Sequence, residues 1–301
     1  MKRTLKITVV MASVVLALQA IAYAENTSKV TDTFPDGSPK YVVYYDGNKQ
    51  IGTMVLDKKG NIVETTEQIK DHVLKSYYKN GVPSKEEYFK DGKLDGTKRV
   101  YYENGKIQSE INYKNGKISG EARTYNKNGN LWFELYERNG ITDGPVRMYW
   151  ENGVLESESY YQNGKAEGVR KDFTEDGKLS MESYFQNGKA EGVFKLYTAN
   201  GKISVIANIV NDKLDGVRTL YYESGLPETE DSFRNNMRNG FSRTYYPRGE
   251  LWTDATYEND KLEGITTEYY ENGKMKSIET YSDGKIISKQ EYDTNGNPKP
   301  E

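Results

Sequence analysis

The chain has no cysteine and a single histidine, His72. The first absence excludes a lipid-modified N-terminal cysteine, a disulfide scaffold, thiol catalysis and cysteine-type zinc sites. The second leaves a Ser-His-Asp set or a histidine metal site with almost nothing to build on, and His72 occupies a place where glycine recurs elsewhere. No Gly-Lys dipeptide is followed by Ser or Thr, and no G-x-G-x-x-G occurs, so phosphate loops are missing too. Asp293-Thr294-Asn295-Gly296-Asn297 resembles a calcium loop only faintly, because Pro298 stands where glycine is needed and no Glu follows. Large aliphatics are sparse and the mean hydropathy is -0.87, too polar for a large conventional core. Polybasic runs are absent, which argues against nucleic acid or anionic lipid as ligand. The expectation is a non-enzymatic protein with no catalytic residue, cofactor or metal.

What is present begins with a leader. Lys2, Arg3 and Lys6 precede an apolar stretch, residues 7–18, and Ala22-Tyr23-Ala24 is an A-x-A cleavage signal. The stretch is short of the ~20 residues that span a bilayer. Residues 1–24 therefore read as a signal peptide, and the mature chain is expected to start at Glu25 in the periplasm, on the cell surface or outside. Cleavage takes the basic count from 42 to 39 against 45 acidic residues, a net charge of -6.

The remainder is rich in Tyr (26) and Gly (28). The hexapeptide YYENGK appears at 101–106 and again at 269–274, a separation of 168, or seven times 24. Glycine recurs at that step from Gly81 through Gly105 to Gly273, and an aromatic recurs from Tyr77 through Tyr101 to Tyr269. Nine units fit residues 72–287 without a gap; residues 25–71 read as degenerate repeats or a cap, and 288–301 as a partial repeat and tail. Each unit holds two Asn-Gly-type turns, as at Asn104-Gly105 and Asn115-Gly116, which favour type I′ hairpins. The predicted fold is all-β: an elongated, solenoid-like antiparallel meander of tandem 24-residue hairpins, mostly one twisted layer.

Numbering each unit from its first residue (Gly96, Gly120, Gly144), a two-residue turn at positions 9 and 10 pairs position 4 with 15. This sets Arg99 against Glu110, Arg123 against Glu134, Arg147 against Glu158 and Arg243 against Asp254, a cross-strand ladder worth roughly 0.2–1 kcal/mol per pair. The same register sets Tyr125 opposite Trp132 and Tyr245 opposite Trp252, stacks Tyr102 on Ile107 and Trp150 on Leu155, and lays the aromatic at position 18 over the glycine at position 1. Between units a four-residue loop is expected, because it keeps like positions in columns. Tyr125, Trp132, Trp150, Tyr245 and Trp252 are the candidate ligand-binding residues, since Tyr and Trp are favoured contact residues.

The units built on Tyr101-Tyr102-Glu103-Asn104-Gly105-Lys106 and Tyr113-Lys114-Asn115-Gly116-Lys117-Ile118-Ser119-Gly120 resemble the bacterial variant of the MORN repeat. That resemblance implies β-hairpin arrays and no catalytic residues. Bacterial proteins of this kind are often labelled YwqK-family antitoxins, which implies neutralisation of a partner toxin. A second resemblance is to choline- or glucan-binding repeats, but those carry regular tryptophans and this chain has three. The expected function is an exported scaffold that binds a protein partner at the envelope or outside the cell, with an antitoxin or a glycan binder using the Tyr/Trp face as alternatives.

Overall fold

The computed structural model describes residues 29–35, 39–46, 49–58, 62–65, 73–78, 80, 82–91 and 93–300. The leader, its cleavage site and His72 lie outside these residues. The chain forms two compact units, one of residues 1–117 with 127–129, the other of residues 118–126 with 130–301. In the first, Lys29–Thr33, Pro39–Asp46, Lys49–Leu56 and Ile62–Thr65 make an antiparallel sheet in chain order. The hairpin arms Val73–Tyr77, Pro83–Lys90, Gly96–Tyr101 and Ile107–Lys114 follow. The second runs as an open antiparallel meander from Lys117–Tyr125 to Lys285–Glu291. No helix occurs among the described residues.

The two Asn-Gly turns of a repeat differ. At Asn115-Gly116 both residues have positive φ (49° and 79°), the type I′ conformation. The turn at Asn104-Gly105 is wider, which corrects the expectation. Gly105 N–H donates to the Tyr102 carbonyl (2.9 Å), Tyr102 N–H donates to the Lys106 carbonyl (2.8 Å), and only Gly105 has positive φ. This is a type I turn closed by a left-handed glycine, a three-residue loop. It pairs Tyr101 with Ile107, and one extra residue at position 13 then restores Arg99↔Glu110. The 4↔15 pairing therefore holds in all nine repeats although the turn is not the one expected.

The inter-repeat connection shows the same compensation. Arg138 pairs directly with Ile141, so the connection is a two-residue turn and not a four-residue loop. Left alone, that turn would slide each repeat two places. A bulge that absorbs two residues beside Gly144 returns Leu135 to Val146 and Glu134 to Arg147. Its glycine has φ of +154° at Gly144 and +112° at Gly216, conformations that a Cβ disfavours. Where the repeat carries Ser288 instead, the bulge shrinks to one residue, and Glu279 faces Lys289 out of column. Within its own repeat each of these glycines pairs with position 18, as expected: Gly144 with Tyr161 and Gly216 with Phe233. On the other side it meets position 17 of the preceding repeat: a Cβ on Gly144 would lie 2.9 Å from Tyr136 Cβ, and one on Gly216 3.0 Å from Asn208 Cβ.

Side chains of the YxNGK motif tie many of the hairpins to the next. At position 7, Tyr78, Tyr222 and Tyr246 donate their hydroxyls to the carbonyls of Tyr101, Tyr245 and Tyr269 at 2.5, 2.6 and 2.8 Å. At position 9, Asn80, Asn104 and Asn152 donate to the carbonyls of Glu103, Lys127 and Glu175 at 3.2, 3.0 and 3.1 Å. At position 11, Lys106, Lys202 and Lys274 reach the carbonyls of Asn128, Glu223 and Asn295 at 2.5, 2.7 and 2.8 Å. The opposite end is tied through the backbone, as where Gly140 N–H donates to the Ile118 carbonyl (2.7 Å). Carboxylates at position 24 help there: Glu167, Glu191 and Asp215 accept from the N–H groups of Asn187, Asn211 and Asn235.

Gly216→Ala is expected to destabilise the fold by about 1–3 kcal/mol, since it strains the bulge and drives Cβ into Asn208. Ser288→Ala, where the bulge takes up only one residue and needs no positive φ at Ser288, is expected to be near neutral. Urea midpoints check both, and equal midpoints for the two variants would contradict the role given to the bulge.

Candidate binding face

Alternation along the arms sends positions 3, 5, 14 and 16 to one face and 2, 4, 15 and 17 to the other. The first face is buried, with Val100, Ser109, Ile111, Ala122, Phe133, Leu135, Val146, Phe194 and Ala207 all at 9% exposure or less. In the second unit the strands in extensive contact are neighbours in the meander. Asp231 is buried there, and it accepts from Arg218 (2.6 Å) and Ser242 (2.7 Å).

The other face carries the charge ladder. Arg99 Nε donates to Glu110 (2.8 Å), Arg123 to Glu134 (3.2 Å), Arg147 to Glu158 (2.8 Å) and Arg243 to Asp254 (3.3 Å). The ladder also runs between repeats: Glu134 accepts from Arg147 of the next unit (3.1 Å) and from the Tyr149 hydroxyl (2.9 Å). Tyr101, Tyr197 and Tyr245 repeat that contact on Glu86, Glu182 and Glu230 at 3.0, 2.7 and 2.7 Å. Burial works to raise the Glu134 pKa, but the donors Tyr149, Arg147 and Arg123 outweigh it and hold the carboxyl below its usual range. Tyr101, Tyr149, Tyr197 and Tyr245 are pushed up to about 12, first by burial and then by the carboxylate each one meets.

The five sequence-selected aromatics are not brought together. Tyr125 pairs with Leu131 and Tyr245 with Leu251, so neither faces a tryptophan; Trp132 and Trp252 fall at the bulged position 13. Trp132 is 44% exposed. Trp252 stacks on Tyr246 at 5.6 Å between centroids and donates to Glu268 (3.0 Å). Trp150 takes the place of the position 7 tyrosine, its indole N–H donating to the Phe173 carbonyl at 3.1 Å, and it is not stacked on Leu155, which pairs with Tyr149.

A different set forms a row. On consecutive strands of the second unit, Tyr136, Pro145, Tyr160, Val169, Tyr184 and Val193 occupy positions 17 and 2 of the ladder face, and every one is exposed. Tyr160 and Val169 reach 50% exposure. Sequence reasoning passed over this row. Its signal was a tyrosine at position 17 of three successive repeats, one residue before position 18 (Glu137, Tyr161 and Phe185) and hence on the opposite face.

The ladder has a pH signature. A carboxyl held low in the folded state, as in Glu134, contributes stability above its unfolded pKa that is lost as pH falls through the lower folded value. The four raised tyrosines contribute stability below an unfolded value of about 10 that is lost as pH rises through about 12. The denaturation midpoint is therefore expected to be level across neutral pH, to fall on the acid side, and to fall again on the alkaline side with phenolate absorbance appearing late. Tyr149→Phe with Tyr245→Phe should blunt the alkaline fall and, because Tyr149 is one of the donors that hold the Glu134 carboxyl low, should also shift part of the acid fall; an unchanged alkaline limb would contradict the assignment.

Comparison with known proteins agrees with the hairpin register. The MORN repeat variant family matches residues 73–91, 94–115, 142–163, 166–187, 190–211 and 262–283. Each matched stretch ends at or near a second, inter-repeat turn. No curated protein matches the chain. Similar solved structures include the Tc holotoxin pore of Photorhabdus luminescens (12% identity over 87% of this chain and 15% of that one, TM-score 0.20). Another is the TcdB2-TccC3-Cdc42 complex (12% identity over 88% of this chain and 18% of that one, TM-score 0.20). The chain spans about 15–18% of the length of these solved chains. The six matched stretches, 129 of the 301 residues, are similar to the MORN repeat variant.

Proposed function

We propose that the protein is an exported, non-enzymatic binding array that presents the Tyr136–Val193 row to a partner at the cell envelope or outside the cell. The supporting observation is the contrast on the ladder face. Beside a charge ladder whose side chains bind one another, six neighbouring residues in the row put tyrosine and aliphatic surface into solvent. Exposed apolar surface contiguous over several strands marks interaction sites. Stapled repeats supply a rigid base for it, which lowers the ordering cost of binding. Export rests on the basic, apolar and A-x-A leader.

Two measurements test this reading. The protein recovered from its native host is expected to begin at Glu25 and to fractionate with the envelope or medium, as mass spectrometry of the intact chain would show; a retained leader in the cytoplasm would contradict export. Val169→Asp with Val193→Asp should leave the unfolding free energy from urea titration within about 0.5 kcal/mol of wild type, since both residues are surface positions, and should abolish retention of envelope material by the immobilised protein. Undiminished retention would remove the row as the binding surface.

A further inference from the structure

We infer that the Tyr136–Tyr160–Tyr184 row binds a neutral, extended β-linked polysaccharide; this rests on the binding-array reading and names the ligand class of the same surface. The first ground is spacing. The three tyrosines hold one position in successive repeats, two strands apart, and so recur at roughly 10 Å. A β-1,4-linked chain presents the same sugar face once per disaccharide, over a comparable distance. An extended peptide repeats its face every two residues, roughly 7 Å, and falls out of step within one repeat.

The second ground is the hydroxyls. Tyrosines at positions 6 and 7 are occupied, as in Tyr149 on Glu134 and Tyr222 on the Tyr245 carbonyl. The hydroxyls of Tyr136, Tyr160 and Tyr184 have no hydrogen-bond partner among the described residues, and the three residues are 37%, 50% and 40% exposed. A wholly apolar partner, such as the greasy face of a helix, would strip water from three hydroxyls and return nothing. Sugar hydroxyls supply donors and acceptors, while the C–H faces of pyranose rings stack on the phenol rings. Pro145 and Val169 place exposed aliphatic surface on the two intervening strands, and Val193 does so on the strand after Tyr184.

The third ground is charge. The adjoining row pairs its own charges, Arg147 with Glu134 and Glu158 and Lys195 with Glu182, so it offers little net field to an ionic ligand. A neutral polymer is what remains complementary to it.

The test is calorimetric titration of the purified protein with chitohexaose and cellohexaose, each against its disaccharide. At least one hexasaccharide should bind about tenfold or more tighter than its disaccharide, because it meets three rings and not one. Tyr160→Ser should weaken the hexasaccharide at least about fivefold. Its fold should be unchanged, since no atom of Tyr160 lies within 4 Å of the Cβ position of Gly168 and its hydroxyl has no partner. An absence of saccharide binding, equal affinity for hexamer and dimer, or indifference to Tyr160→Ser would overturn the inference. If saccharides fail while the immobilised protein still retains an envelope protein in a manner that Val169→Asp with Val193→Asp abolishes, the polysaccharide is wrong and the array reading stands. If that double variant also changes nothing, both fall.

Discussion

Among the described residues, loop carbonyls of one hairpin accept side-chain donors from the hairpin before it; the carbonyls met by position 7 are half-buried and need such a donor. The preceding repeat supplies them from three side chains of one motif: a position 7 hydroxyl or indole, a position 9 amide and a position 11 ammonium, as in Tyr78, Asn80 and Lys106. A hydrogen bond of this kind contributes about 0.5–1.5 kcal/mol net, and their number varies along the array: Tyr270, Asn272 and Lys274 act together at one junction, whereas Tyr222 and Tyr246 each act alone among these positions. This explains how a chain with mean hydropathy -0.87 holds together without disulfides. Stability of such arrays is a sum of nearest-neighbour terms, and here much of the neighbour term is polar.

Register is the second constraint, and it follows from compensation. A three-residue loop and a one-residue bulge cancel within the repeat; a two-residue turn and a two-residue bulge cancel between repeats. The cancellation keeps Arg147 between Glu134 and Glu158 and keeps Tyr136, Tyr160 and Tyr184 in line. It depends on a glycine at position 1. At Ser288 it is incomplete, and the ties from Tyr270, Asn272 and Lys274 reach Tyr292, Thr294 and Asn295 in the tail.

The period, the hairpins and the 4↔15 ladder were legible in the sequence, because a 24-residue step in glycine and aromatics leaves few alternatives and opposite charges mark the register. The turn types were not. Asn104-Gly105 and Asn115-Gly116 are the same dipeptide, and what separates them is tertiary: the Asn104 amide donates to the next hairpin while its oxygen accepts the Lys106 N–H. The four-residue connection was a correct demand for columns met by the wrong device, because a bulge leaves no mark beyond a glycine. The aromatic sites misled for a related reason. Moving the extra residue to position 13 took Trp132 and Trp252 away from Tyr125 and Tyr245, and the exposed row lay in a column valued only for its neighbour.

The structure thus divides its tyrosines into those whose hydroxyls hold the array together and those whose hydroxyls face solvent. The most direct test of that division is the unfolding free energy of Tyr222→Phe beside that of Tyr160→Phe, each losing one oxygen and nothing else. Tyr222→Phe deletes the 2.6 Å tie to the Tyr245 carbonyl and should cost about 1 kcal/mol, whereas Tyr160→Phe should cost nothing measurable. Equal effects, or a larger loss at Tyr160, would contradict the account that inter-repeat side-chain ties hold the fold together.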